Sequence, residues 1–209
     1  MNSNIFSFSI VIFLFSCFAL ATESKTVSAA TELAQYLNQY MTFQAQFTQQ
    51  TFDAHRRLLQ RSQGTVMLMR PGRFRWNTMR PSHQIVVTDG KVLWVYDPDL
   101  RQATRQLLSS NYDNPAQLLS GRADVLLKQF QVTVLKKMRN TTVFQLKPKE
   151  KNEPFQLITM IFSDGVLREL HVENSLNQTN LFIFTHVQLN THLDSNLFYF
   201  KPPANIDVL

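Results

Sequence analysis

Beyond residue 21 the chain has no cysteine, and its single one is Cys17. That excludes disulfides, thiol nucleophiles and cysteine-bound zinc from the bulk of the protein, and it suits an oxidising compartment where stray thiols react. Glycine is also scarce, with five residues. No Gly-rich phosphate loop is present, and many turns must rely on Asn or Asp. The five histidines, His55, His83, His171, His186 and His192, never fall at a metal-binding spacing such as HxxxH. There is no GxSxG elbow and no SxxK pair. No metal, no cofactor and no enzymatic activity are expected.

Charge is missing from residues 1–20. The apolar run from Ile5 to Leu20, closed by a small-x-small site at Ala19 to Ala21, reads as a secretory signal peptide cleaved after Ala21, although its start carries no basic residue. The run is short for a membrane span. The predicted organisation is a signal peptide over 1–21 and one domain over 22–209. A rival processing event remains open at Cys17: "LFSC" is a poor lipoprotein box because Phe15 is bulky, yet cleavage there leaves a lipid-anchored protein. The formal net charge of +6 either aids solubility or favours anionic surfaces and acidic partner proteins.

What is present is mostly strand. Ser28 is the predicted N-cap of an amphipathic helix carrying Ala30, Leu33, Leu37, Tyr40 and Met41. From Phe43 the apolar period changes to two, through "FQAQFTQQTFD", "GTVMLMR", "RFRWNTM" and "HQIVVTDGKVLWVYDPDL". Asp89-Gly90 is a strong hairpin signal, and Pro71-Gly72 and Pro81-Ser82 mark further turns. Four or five antiparallel strands in succession are expected there. Asn114, Pro115 and Gly121 then frame a short helix, and Ala123 to Gln129 form a second. A second series follows in "FQVTVLKK", "TVFQLKPK", "FQLITMIFS", "LRELHVEN" and "NLFIFTHVQLN", with a turn at Asp164-Gly165. A last short strand is expected in "LFYF", stopped by Pro202 and Pro203.

The remaining charged groups offer little chemistry. Asp97 and Asp99 in "DPD" lack the spacing of a calcium loop and read as turn caps. Glu150 and Glu153 lie among Lys147, Lys149 and Lys151, as at a solvated hairpin tip. His83 is expected in solvent beside a turn, and His171 and His186 on strand surfaces. Lys136, Lys137 and Arg139 form one basic cluster, and Arg56, Arg57 and Arg61 another. Neither is interleaved with exposed aromatics, so nucleic acid is not expected.

About ten antiparallel strands make a sheet that a few short helices cannot cover while it stays flat. Either the sheet curls around them as an open barrel enclosing an apolar chamber, or the helices fill the space and no cavity exists. The seventeen phenylalanines suit a lining and a packed core equally. The fold class expected from the residues alone is mainly β (α+β).

Three segments carry a family resemblance: "FQAQFTQ" (43–49), "GTVMLMRPGRFRW" (64–76) and "QIVVTDGKVLWVYDPDLRQAT" (84–104). With "NPAQLLSG" in the lid-helix region and "FYFKPPANIDV" near the end, the chain resembles the periplasmic carrier of outer-membrane lipoproteins, LolA. The resemblance implies an unclosed antiparallel β-barrel with short helices forming a lid over an apolar cavity, and a soluble, monomeric periplasmic shuttle. It implies triacylated lipoproteins as cargo, an inner-membrane ATP-driven release complex as donor, and the outer-membrane receptor LolB as acceptor. LolB shares the fold but carries a lipid anchor, which is the alternative raised by Cys17. A third reading, of another class, is a sensor module that uses the half-barrel to bind protein.

Strand phase nominates Phe47, Val66, Leu68, Phe74 and Trp76 as cavity lining, with Arg73 and Arg75 outward. Ile85, Val87, Leu93 and Val95 continue that lining on one phase assignment; on the other, Trp94 and Tyr96 are the inward pair. Arg70 falls on the inward phase with Val66 and Leu68. Either it ends its strand and reaches solvent, or its donors hold carbonyl ends of the lid helices. The resemblance implies a functional arginine at this position before proline, and so a lid latch.

Overall fold

The computed structural model describes residues 27–108, 115–150 and 154–209. The expected signal peptide, Cys17, the Asn114 cap and Glu153 lie outside the described residues. Helix α1 spans Ala29–Asn38, and its Ser28 cap accepts a hydrogen bond from the Thr31 N–H. The first meander comprises β1 (Thr42–Phe52), β2 (Leu58–Met69), β3 (Arg73–Arg80), β4 (Gln84–Thr88), β5 (Val92–Asp97) and β6 (Gln102–Leu107). Helices α2 (Pro115–Ser120) and α3 (Ala123–Gln129) interrupt it. Then follow β7 (Phe130–Lys137), β8 (Thr141–Pro148), β9 (Phe155–Ser163), β10 (Val166–Asn174), β11 (Thr179–Leu189) and a two-residue β12 (Asp207–Val208).

All twelve strands form one sheet in the order β12-β6-β5-β4-β3-β2-β1-β11-β10-β9-β8-β7. Strands β1–β6 and β7–β11 each pair with sequential neighbours. Two long-range pairings are added: β1 against β11, where Phe47 faces Phe184, and the short β12, parallel to β6. Edge strands β7 and β12 are not paired with each other, so the curled sheet stays open among the described residues. Its inner face follows from cross-strand partners, which share a side. Ala45, Val66, Trp76, Val86 and Val95 form one inward row. Phe43, Leu68, Phe74, Thr88 and Leu93 form the next.

The helices plug one part of this trough. Leu33 and Leu37 of α1, Leu118 and Leu119 of α2 and Leu126 of α3 are buried in one cluster with Phe43, Leu68, Phe74, Phe144, Phe162 and Phe184. Each such side chain contributes about 1.5–3 kcal/mol by leaving water. Tyr36 of α1 packs its ring on Phe144 and Phe162 and shares a hydrogen bond with Thr142. No helix among the described residues is long and apolar enough to cross a membrane.

Several expectations need correction. Helix α1 ends at Asn38, and Met41 is exposed. Its exit is held by Asn190, which accepts from the Met41 N–H and donates to the Gln39 carbonyl. β6 is an unforeseen strand because "QATRQL" is polar and mostly exposed at an edge. "LFYF" is no strand: Ser195–Phe198 is a 3-10 turn capped by Asp194, and β12 comes after the prolines. This segment lies over the outer face, where Phe200 packs on Trp94 and Tyr96 and the Leu197 carbonyl accepts from Arg75. Arg75 does point outward, but it is partly buried, and desolvation lowers its pKa. His83 is half-buried and bonded to Asn77. The turns do use Asn and Asp: Asp164, Asn177, Asn190 and Asn205 all have positive φ.

Two predictions test this account. A Cβ on Gly64 would sit 1.9 Å from the Asn77 carbonyl oxygen and 3.0 Å from the Phe47 ring. Gly64→Ala should therefore destabilise the fold by about 1–3 kcal/mol in chemical denaturation, the usual cost of overpacking. Asp89 accepts the N–H groups of Val92 and Lys91, led by Val92, and its carboxyl pKa is lowered. The stabilisation is present above the unfolded-state pKa and is lost as pH falls through the lower folded-state value. Asp89→Ala should lower the melting temperature at neutral pH, and the difference should vanish in strong acid.

Candidate functional site

β2 delivers Arg70 to the inner face at the same end as the C-terminus of α2. Arg70 is 8% exposed. Nη1 donates to the Gly121 carbonyl at 2.5 Å. Nη2 donates to the Leu119 carbonyl at 2.7 Å and to the Tyr40 hydroxyl at 3.2 Å. The guanidinium also lies over the Tyr40 ring, 4.7 Å from its centroid. The next turn adds a backbone contact, Gly72 N–H to the Ser120 carbonyl. The last carbonyls of α2, orphaned by the helix end, are thus satisfied from β2. The negative end of the helix meets a fixed cation there. Arg70 has no carboxylate partner among the described residues. Its Nε is buried without a hydrogen-bond partner.

The other end of α2 borders open space. A cavity of about 400 Å³ lies between the two meanders. Its apolar wall includes Phe74, Trp76, Val86, Ala116, Phe155, Val172 and Phe182, while Gln49, Thr78, Gln84, Asn174 and Asn180 form a polar part. This size lies within the usual range for a small-ligand pocket, roughly 300–1,000 Å³. Trp76 sits at the aromatic junction of the two halves, with ring contacts to Phe47, Phe182 and Phe184. Among the described residues no group of three His, Cys, Asp or Glu side chains is placed to hold a metal ion.

Of the residues nominated from sequence, Phe74 and Trp76 border the cavity. Phe47, Val66, Leu68 and Leu93 are on the same face but belong to the packed core. Val95 shares that phase through its pairing with Val86. Ile85 and Val87 are on the opposite face: they pair with Tyr96 and Trp94 under the C-terminal segment, and Val86 and Thr88 point inward instead. The error arose because β4 is apolar on both faces, so its run "IVV" carries no phase. Residues missed entirely come from the second meander and from Tyr40. The alternation in "LFIFTHVQL" marked Phe182 and Phe184 as a pair, but only the β1–β11 seam brings them to Trp76.

A second tie closes the roof at the far edge. Glu32 of α1 pairs with Lys137 of β7 at 2.6 Å, and this partner raises the lysine pKa. It accounts for one member of the basic cluster as a helix-to-edge contact.

The outer-membrane lipoprotein carrier protein LolA family profile matches residues 38–201. Outer-membrane lipoprotein carrier proteins are 44% identical in Coxiella burnetii (strain CbuK_Q154), over 95% of this chain and 93% of that one, and 34% identical in Azotobacter vinelandii, over 97% and 98%. Among solved structures, an uncharacterised conserved protein from Thermus thermophilus superposes with a TM-score of 0.57 at 11% identity, covering 87% of this chain and 99% of that one. That likeness concerns fold alone. The architecture, the matched span and the identity to these carriers lead to one conclusion: the chain belongs to the LolA family of outer-membrane lipoprotein carrier proteins.

Proposed function

We propose that this protein is a periplasmic carrier that shields the acyl chains of lipoproteins between an inner-membrane ATP-driven release complex and the outer-membrane receptor LolB. The observation that carries this reading is the apolar cavity roofed by α2, whose C-terminal carbonyls are held by the buried Arg70. Each buried methylene is worth about 0.8 kcal/mol, so one ordinary acyl chain left in water costs on the order of 10 kcal/mol. A carrier must offset that cost and still release its load.

Arg70 suits such a requirement as a latch. A hydrogen bond to a charged group contributes about 1.5–3 kcal/mol. Two of them help to hold the empty roof shut beside the burial of Leu118 and Leu119, and together they are smaller than the gain from burying one chain. Entering cargo displaces the latch. Phe74 and Trp76 would meet the acyl chains, and the amides of Gln49, Asn174 and Asn180 the polar part of the cargo near the opening.

Two expected outcomes follow. Arg70→Leu should leave the protein folded, raise the affinity of the empty form for an environment-sensitive apolar dye by at least about tenfold, since both charge-assisted bonds to the Leu119 and Gly121 carbonyls are lost, and slow delivery of cargo to the receptor. Unchanged dye binding together with unchanged delivery removes the latch. The chain has two tryptophans, one on each face of the sheet. In Trp94→Phe, an acylated peptide should shift the emission of Trp76 to the blue, whereas Trp76→Phe should show no such shift. A silent Trp76 at saturating acylated peptide removes the cavity as the binding site.

A further inference from the structure

The barrel end that opens onto the cavity also presents exposed leucines among arginines. Pairing between β2 and β3 starts at Gln63 with Arg80, so residues 58–62 have no partner on that side. At about 3.4 Å per residue the β1–β2 hairpin overhangs its neighbour by on the order of 17 Å. Near its base, Gln49 lines the cavity. Near its tip, Leu58 and Leu59 are 49% and 55% exposed. Both are exposed because the register shifts between Thr51 and Phe52, setting an extra β2 residue against β1. Arg56, Arg57 and Arg61 surround them and are exposed. The one carboxylate of the hairpin, Asp53, is engaged by Arg57 Nε at 2.7 Å and by the N–H groups of His55 and Arg57. Those bonds hold the tip in a defined turn. The adjoining β10–β11 hairpin, placed alongside by the pairing of Phe52 with Thr179, presents Leu176 at 71% exposure.

We propose that these two hairpin tips dock the protein on an anionic bilayer, with the leucines entering the headgroup boundary and the arginines binding lipid phosphates. Interfacial apolar groups settle about 5–10 Å into that boundary, a depth the overhang reaches while the barrel stays in water. Neither tip exposes a Trp or Tyr, the anchors that protein interfaces favour, whereas Leu is under-represented in protein hot spots. Arginine binds phosphate bidentately and is weakly hydrated, which suits a headgroup layer. Docked this way, the cavity mouth faces the membrane, where acyl chains leave or enter. Only this last consequence rests on the carrier reading; docking itself requires no cargo.

The test is flotation of the purified, cargo-free protein with vesicles of phosphatidylcholine alone or mixed with phosphatidylglycerol. Binding to the mixed vesicles is expected at about 0.05 M salt and should largely disappear at about 0.5 M, as screening shortens the reach of surface charge. Each arginine near such a surface is worth about fivefold in partition. The double variant Arg56→Gln with Arg61→Gln should therefore lose roughly twenty-five-fold. Leu58→Ser with Leu59→Ser should lose at least about tenfold. Melting temperature and dye binding in the cavity should match wild type in both variants. Absence of flotation, equal binding to neutral vesicles, or variants that float like wild type would overturn the proposal. So would binding to poly-glutamate without binding to vesicles, which assigns the tips to an acidic protein. A protein that floats as expected but takes no acylated peptide sinks the carrier reading and leaves the docking intact.

Discussion

A guanidinium on the inside of a sheet is the contact around which this molecule is arranged. Arg70 has no carboxylate partner among the described residues and takes its compensation from carbonyl dipoles at the end of α2 and from the Tyr40 ring. A buried cation held in this way is costly to strand. As long as α2 stays over the trough, the charge is satisfied and the aliphatic face of the helix covers the core. The end of α2 is held both by these directional bonds and by the burial of Leu118 and Leu119 in the core, so lifting it would strand the cation's partners and bare apolar surface together.

Everything else positions that contact or follows from the room left beneath it. Among the described residues, twelve strands present more inner face than three short α-helices can cover. At the Arg70 end the helices fill the trough with Leu33, Leu37, Leu118 and Leu119, and a shallower hollow stays beside Arg70, Met41 and Asp124. At the other end only Pro115 and Ala116 of α2 reach the wall, and the cavity persists. The trough is thus packed toward one end and hollow, with an open mouth, toward the other. The outer face solves a related problem. Ile85, Val87, Trp94 and Tyr96 would be left in water on a strand pair apolar on both sides, and the C-terminal segment covers this face, with Phe200 on Trp94 and Tyr96.

Much of the fold was legible because strand period and turn chemistry are local. The Asp89-Gly90 and Asp164-Gly165 turns and the five strands of the second meander stand where their residues indicate. The inward phase of Arg70 was readable two residues at a time from Val66 and Leu68. Phase failed at β4, where both faces are apolar, so alternation carried no sign. It also failed at "LFYF", whose aromatics cover the outer face from a 3-10 turn instead of joining the sheet. The cavity wall was half visible for the same reason: Phe74 and Trp76 lie in the first meander, but Val172 and Phe182 lie far along the chain in the second.

By itself, the order of residues determined most of the strands, most of the turns and the inward phase of an arginine that follows Val66 and Leu68, since each depends on neighbours a few positions away. It also carried the family resemblance, which rests on short matched segments. Tertiary structure decided which carbonyls that arginine would meet, where the trough is filled and where it is hollow, and that the leucines of two hairpins share the rim. Those outcomes depend on the β1–β11 seam, which brings the two meanders side by side. A pairing between segments so far apart is selected by the packing of whole faces, and no local pattern encodes it.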